Sequence, residues 1–180
     1  MRVITGSARG RRLKEPEGMD IRPTTDQVKE AIFNIVQFDV EGRRVLDLFA
    51  GTGQLGIECL SRGAESAVFV DHSREAVKII KENLAACHLK GFVAEQDSLM
   101  YLKNCGKFDL IFVDPPYDSD LYEEVLKSIN LFDILNDGGI IMCEARRDRQ
   151  LPEMSGCYRK VKEYNYGKVK LCRYSRESMV

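Results

Sequence analysis

Val45-Leu46-Asp47-Leu48-Phe49-Ala50-Gly51-Thr52-Gly53-Gln54-Leu55-Gly56 is the stretch that decides how this chain folds. Residues 45–48 have the length and composition of a buried strand, and Leu55, Ile57, Cys59 and Leu60 have the density of an apolar helix. Between them, Gly51 and Gly53 let the backbone turn tightly and let a ligand come close, with the first N–H groups of the helix left open. The unit is strand, glycine turn, helix. Further apolar runs follow at residues 67–70, 91–94, 110–113 and 140–143, and most of the gaps leave room for a helix. That alternation predicts a mostly parallel sheet covered on both faces by helices, an α/β fold in which residues 1–180 make a single domain. Two β-like stretches around Asn165-Tyr166-Gly167, within residues 158–174, predict an antiparallel hairpin that closes the sheet.

Toward the N-terminus the character changes. Thr24 and Gln27 have the spacing of a capping box, and Val28, Ala31, Ile32, Ile35 and Val36 recur at helical spacing, which predicts a helix from about residue 25 to residue 37. Pro23 restricts how Arg22 enters it. Before that, Arg2, Arg9, Arg11, Arg12 and Lys14 occur ahead of any acidic residue, with Gly6 and Gly10 placed for turns. Residues 1–22 therefore read as a basic hairpin or arm, residues 23–38 as a leading helix and residues 43–180 as the core.

With 180 residues, 44% of them hydrophobic, the chain has material for one real core. A net charge of -1 offers no global attraction to a polyanion, so a nucleic-acid partner has to be met by a local basic patch. Six cysteines without any Cys-x-x-Cys pair suggest neither a zinc site nor a disulfide framework and fit a reducing compartment. Nowhere do about eighteen apolar residues follow one another. The expectation is a cytoplasmic protein with no membrane partner and no metal.

The chemistry sits at the ends of the strands. Asp47 lies inside the first of them, where a carboxylate is costly to bury unless a donor meets it. One reading is a carboxylate that caps a helix or turn; the other is a partner for a cationic ligand. Asp71 ends the second strand, where an acid can grip a ribose hydroxyl pair. Taken literally, the glycines and Asp71 also satisfy the dinucleotide fingerprint, so a nicotinamide oxidoreductase competes. A buried acid beside the turn favours an ammonium and sulfonium ligand, S-adenosylmethionine, over a pyrophosphate. Asp97 and Ser98, after the third strand, suit either an adenine amino group or the N-cap of the next helix.

Asp114-Pro115-Pro116-Tyr117 follows the fourth strand at the end where open α/β sheets bind ligands. Two prolines stiffen the corner and remove backbone donors, leaving carbonyl oxygens and the Asp114 carboxylate as acceptors. An exocyclic amine has two N–H donors to match them. Holding those N–H bonds helps free the nitrogen lone pair to attack a sulfonium methyl in line, and Tyr117 can stack on the base.

Together, residues 46–53 and 114–117 resemble the motifs of class I amino-methyltransferases. Arg2-Val3-Ile4-Thr5-Gly6, Gly10-Arg11-Arg12-Leu13, Arg22-Pro23-Thr24-Thr25-Asp26 and Ser61-Arg62-Gly63-Ala64 narrow the likeness to the bacterial small-subunit rRNA guanine-N2 methyltransferase family, RsmD, over nearly the whole chain. The resemblance implies a Rossmann-like, seven-stranded sheet with a short N-terminal extension, and direct methyl transfer from S-adenosylmethionine to a guanine of 16S rRNA within a small-subunit ribosomal particle, by an enzyme expected to be a monomer. It also implies that Asp47, Gly51 and Gly53 line the methionine end of the cofactor and Asp71 its ribose. Asp97 and Ser98 would lie near the adenine, with Phe49 and His72 in the same cofactor-binding set, while Asp114, Pro115, Pro116 and Tyr117 frame the target base. Asp71 stands where the family more often has glutamate, Thr52 where serine is common, and Gln54 where a small residue is usual. Arg9, Arg11, Arg12, Lys14 and Arg22 form the expected RNA-binding patch, against the alternative of an ordinary solvated arm. A DNA adenine-N6 methyltransferase is the nearest enzymatic rival, because the same acceptors suit either amine. A non-catalytic RNA-binding module is the reading from outside enzymology.

Overall fold

Residues 1–16, 26–116 and 119–177 are described by the computed structural model. Their centre is the strand that the opening stretch predicts, β1 (Arg44–Asp47), followed by the glycine turn and α2 (Gln54–Ser61). Around it come α1 (Asp26–Ile35), β2 (Ser66–Asp71), α3 (Arg74–Ala86), β3 (Phe92–Glu95), α4 (Ser98–Leu102), β4 (Phe108–Val113), α5 (Leu121–Leu131) and β5 (Leu135–Arg146). The chain closes with β6 (Met154–Ser155), β7 (Tyr158–Tyr166) and β8 (Val169–Arg176).

The sheet runs β3-β2-β1-β4-β5-β8-β7-β6, parallel through β5 and antiparallel beyond it. The chain winds outward from β1 to β3 on one side and from β4 to β5 on the other. The two halves part between β1 and β4, the switch point at which such sheets bind ligands beyond their carboxyl ends. Among the described residues, eight strands stand where seven were expected. The additional one is β6, a two-residue edge strand that pairs with the start of β7 and carries too little sequence for a period-2 pattern to show.

Alternation along the strands splits the core in two. Val45, Phe69, Leu110, Phe112 and Met142 face α1, α2 and α3, whereas Leu46, Val70, Ile111, Val113 and Cys143 face α4 and α5. Close packing explains the third glycine of the turn motif. A Cβ on Gly56 would lie 2.3 Å from the Phe69 ring, so this helix can reach its strand only without a side chain there. The leading helix is shorter than predicted, ending at Ile35, and its proposed cap at Thr24 lies outside the described residues.

Within the segment read as residues 1–22, residues 1–14 turn back on themselves as a hairpin, and residues 17–22 lie outside the described residues. Val3 N–H donates to the Arg11 carbonyl and Gly10 N–H to the Val3 carbonyl, with Gly6 and Gly10 at positive φ in the turn. The hairpin is packed down, not a free arm: Val3, Ala8 and Leu13 are buried. Glu58 of α2 receives the N–H groups of Ile4 and Thr5 at 2.8 and 2.9 Å, while Lys29 of α1 donates to the Arg2 carbonyl at 2.6 Å and lies 3.4 Å from Glu58. Burial lowers the Lys29 pKa, with the Glu58 carboxylate opposing it. One buried ion pair thus joins hairpin, α1 and α2. All six cysteines are free, and no helix among the described residues is long and apolar enough to cross a membrane.

Candidate active site

Asp47 ends β1 on the α2 side of the sheet, 3% exposed. Its Oδ2 accepts the Gly56 N–H at 3.0 Å, so the carboxylate does cap the start of α2. Burial raises its pKa to about 7; the Gly56 N–H pulls it down, and the Asp71 charge raises it further. One hydrogen bond therefore does not offset the loss of water at this acid.

The glycine turn is shaped by its two acids. Gly51 and Gly53 have φ of 54° and 77°, a region that side chains with a Cβ rarely adopt, and a Cβ added at Gly51 would point into open space. Asp71, at the end of β2, accepts the Gly51 N–H on Oδ2 at 2.9 Å and the Ser73 N–H on Oδ1 at 2.8 Å. It buttresses the turn and retains lone pairs for further donors. His72 beside it is exposed, its Nδ1 3.8 Å from Asp71. Phe49 is half-buried against the α4–α5 side of the core.

At the neighbouring strand ends, Asp97 caps α4 by accepting the Met100 N–H at 2.9 Å, and the buried Ser98 hydroxyl donates to the Leu48 carbonyl at 2.9 Å. The capping alternative for Asp97 is therefore realised. Ser98 ties the third strand's loop to the first strand's end.

Asp114 and Pro115 continue β4 on the other side of the switch point. Burial pushes the Asp114 pKa well up, and the carboxylates of Glu144 and Asp47 push it further. The Pro116 carbonyl is engaged within the corner, accepting the Ser119 N–H at 2.9 Å and the Ser119 hydroxyl at 2.7 Å. A carbonyl that already accepts twice is a poorer acceptor for a ligand than the sequence suggested. Tyr117 and Arg22 lie outside the described residues.

Glu144 was not anticipated. It is 4% exposed on β5, one position beyond the Val113–Cys143 pairing, and so stands level with Asp114. Tyr122 of α5 donates its hydroxyl to the Glu144 carbonyl at 2.8 Å, which fixes this strand end. A glutamate within the apolar run of residues 140–145 was the available signal.

The basic residues divide. Arg9, Arg11 and Arg12 are exposed, and among the described residues no carboxylate is within ion-pair distance of them. Lys14 is paired with Glu82 at 2.7 Å. Three of the C-terminal basic residues are paired locally: Lys160 and Lys170 both meet Glu163, and Arg159 meets Glu177. Among the described residues no group of three His, Cys, Asp or Glu side chains is placed to hold a metal ion.

The arrangement thus gathers Asp71, Gly51, Gly53, Asp47 and Asp114 at the carboxyl ends of β2, β1 and β4. Comparison with known proteins points the same way. The model of the family described as "Conserved hypothetical protein 95" matches residues 1–175. "Putative rRNA methyltransferase YlbH" of Bacillus subtilis (strain 168) is 40% identical, with 98% of this chain and 99% of that protein covered. "Ribosomal RNA small subunit methyltransferase D" of Escherichia coli (strain K12) is 32% identical over 99% of this chain and 91% of its own length. A solved structure described as "Putative methyltransferase yhhF from Escherichia coli" superposes with a TM-score of 0.89 at 32% identity, covering 99% of both chains.

Proposed function

The chain belongs to the "Conserved hypothetical protein 95" family, the RsmD family, and from that membership we propose that it is an S-adenosylmethionine-dependent rRNA methyltransferase whose acceptor is the exocyclic N2 amine of a guanine in 16S rRNA. The observation that carries the choice of cofactor is the occupation of the turn's donors. A pyrophosphate would need the free N–H groups of the glycine turn and the start of α2. Here Asp71 has taken the Gly51 N–H and Asp47 the Gly56 N–H, so two of those donors are spent and two carboxylates border the turn, where they would repel an anion. The same carboxylates suit a ligand with an ammonium, a sulfonium and ribose hydroxyls.

When bound, S-adenosylmethionine supplies an electrophilic methyl group on a positively charged sulfur. The chain's residues do the rest. Asp47 meets the cationic end, and Asp71 accepts ribose hydroxyls while it buttresses Gly51. Asp114 and the Pro115 carbonyl accept the amine's N–H bonds, which orients the nitrogen and raises its electron density. Burial first, and then the neighbouring Glu144 and Asp47 carboxylates, raise the proton affinity of Asp114, so that in its ionised form it is suited to take the proton that leaves as the nitrogen gains its methyl. The acceptor's identity as rRNA rests on the relatives' printed names, and the exposed Arg9, Arg11 and Arg12 supply a cationic patch that the chain's overall charge lacks.

Labelled S-adenosylmethionine should transfer its methyl group to small-subunit particles taken from cells without the enzyme, and not to naked DNA. Asp114→Asn should bind S-adenosylhomocysteine normally and transfer little. Label entering DNA would favour the adenine-N6 reading, and full activity of Asp114→Asn would remove the corner from the chemistry.

A further inference from the structure

Asn83 is a polar residue in an apolar place. It lies on the inner face of α3 between Ile80 and Leu84 and is 1% exposed. Its carboxamide joins two parts of the chain far apart in sequence. Oδ1 accepts the Lys14 N–H at 2.7 Å, and Nδ2 donates to the Lys14 carbonyl at 3.1 Å. The same Nδ2 donates to the Thr52 carbonyl at 2.9 Å. Both amide hydrogens and the amide oxygen are thereby used.

Thr52 stands between the two positive-φ glycines of the cofactor turn, and Lys14 ends the basic hairpin. A second contact repeats the link from the hairpin's other strand: the Thr52 hydroxyl lies 3.5 Å from Met1 Sδ, and the Met1 carbonyl accepts the Leu13 N–H. The hairpin's far end is held separately, by Ser61 and Glu58 at the distal part of α2. One end of the hairpin therefore rests on the cofactor turn and the other on the scaffold.

We propose that Asn83 is a positioning residue that couples cofactor binding to RNA binding: filling the glycine turn fixes Thr52, and through Asn83 it orders the end of the hairpin that presents Arg11 and Arg12. The proposal rests on the functional reading above, in which the turn holds the cofactor and the hairpin meets RNA. Ordering shared between two sites needs to be made only once, so each ligand favours the other by the same factor. Asn83 need touch neither ligand.

The test has two arms. In the wild-type protein, saturating S-adenosylhomocysteine should slow hydrogen exchange at the Val3, Gly10 and Leu13 amides by about five-fold or more, the lower end of ordinary coupling factors. It should tighten binding to unmodified small-subunit particles by a similar factor. In Asn83→Leu, with its circular dichroism spectrum retained, both ratios should fall below about two-fold while each ligand still binds alone. Unchanged hairpin exchange in the wild type would overturn the coupling even if the variant failed to fold, and so would an undiminished ratio in a folded Asn83→Leu. Failure of the wild type to bind S-adenosylhomocysteine at all would instead sink the functional reading and the coupling with it.

Discussion

Replacing Asp47 with asparagine should make the ligand-free protein more stable and a poorer cofactor binder at once. The carboxylate is 3% exposed, and its pKa is raised from an ordinary 3.8 to about 7, chiefly by burial. At about 1.4 kcal/mol for each tenfold change in proton affinity, that gap corresponds to about 4 kcal/mol against the ionised form in the fold. The sign follows from linkage. A folded-state pKa above the unfolded one means that the native state holds a proton which the unfolded state releases, so this group's contribution falls as pH rises between the two values. The penalty is absent below about pH 4 and complete above about pH 7. Asparagine is neutral throughout and can still accept the Gly56 N–H through its side-chain oxygen. Urea denaturation of the two proteins should give equal stability near pH 4, with Asp47→Asn ahead by up to about 4 kcal/mol at pH 8. Calorimetry with S-adenosylhomocysteine should show the opposite trend, because a charged hydrogen bond worth about 1.5–3 kcal/mol is lost, a factor of about 10 to 150 in Kd. Wild-type affinity should climb as pH rises toward 7, when Asp47 ionises. An asparagine variant no more stable at pH 8, or one that binds as tightly, would refute this account of Asp47.

Three further outcomes follow from contacts on the other elements. Reversing two charges with Arg11→Glu and Arg12→Glu should weaken binding to small-subunit RNA and flatten its dependence on salt while leaving S-adenosylhomocysteine affinity unchanged, since each lost phosphate contact removes about 0.7–0.9 from the log–log slope; an unaltered slope would show that the hairpin does not face RNA. Gly56→Ala places a methyl 2.3 Å from the Phe69 ring, and thermal denaturation should show a loss of about 1–3 kcal/mol as helix and strand are pushed apart. Lys29→Met leaves the Glu58 carboxylate buried without its lysine and frees the Arg2 carbonyl, which should destabilise by about 3–5 kcal/mol and raise proteolysis within residues 1–14 first.

The parallel half of the fold was legible because it is buried on both faces. Runs such as residues 45–48 and 110–113 have no polar alternation to confuse them, and glycine turns punctuate them. What escaped was set by partners distant in sequence. Strand β5 extends from Leu135 to Arg146, well beyond its apolar centre, because β4 and β8 both pair with it. Strand β6 exists only because β7 offers it an edge. At the site, Asp47 and Asp71 were visible as acids at strand ends, but their capture of the Gly56 and Gly51 amides depends on how the turn folds back. Glu144 and Asn83 look in sequence like isolated polar residues in apolar surroundings. Only the pairing of β4 with β5, and the docking of the hairpin on α3, show what each stands beside.

Nucleoside analysis of the RNA tests the central claim most directly. Small-subunit particles lacking the modification, incubated with the enzyme and methyl-labelled cofactor, should yield on digestion a single labelled species with the mass and retention of 2-methylguanosine. Label recovered in 6-methyladenosine, or in no nucleoside, would contradict the assignment of a guanine amine to the Asp114 corner.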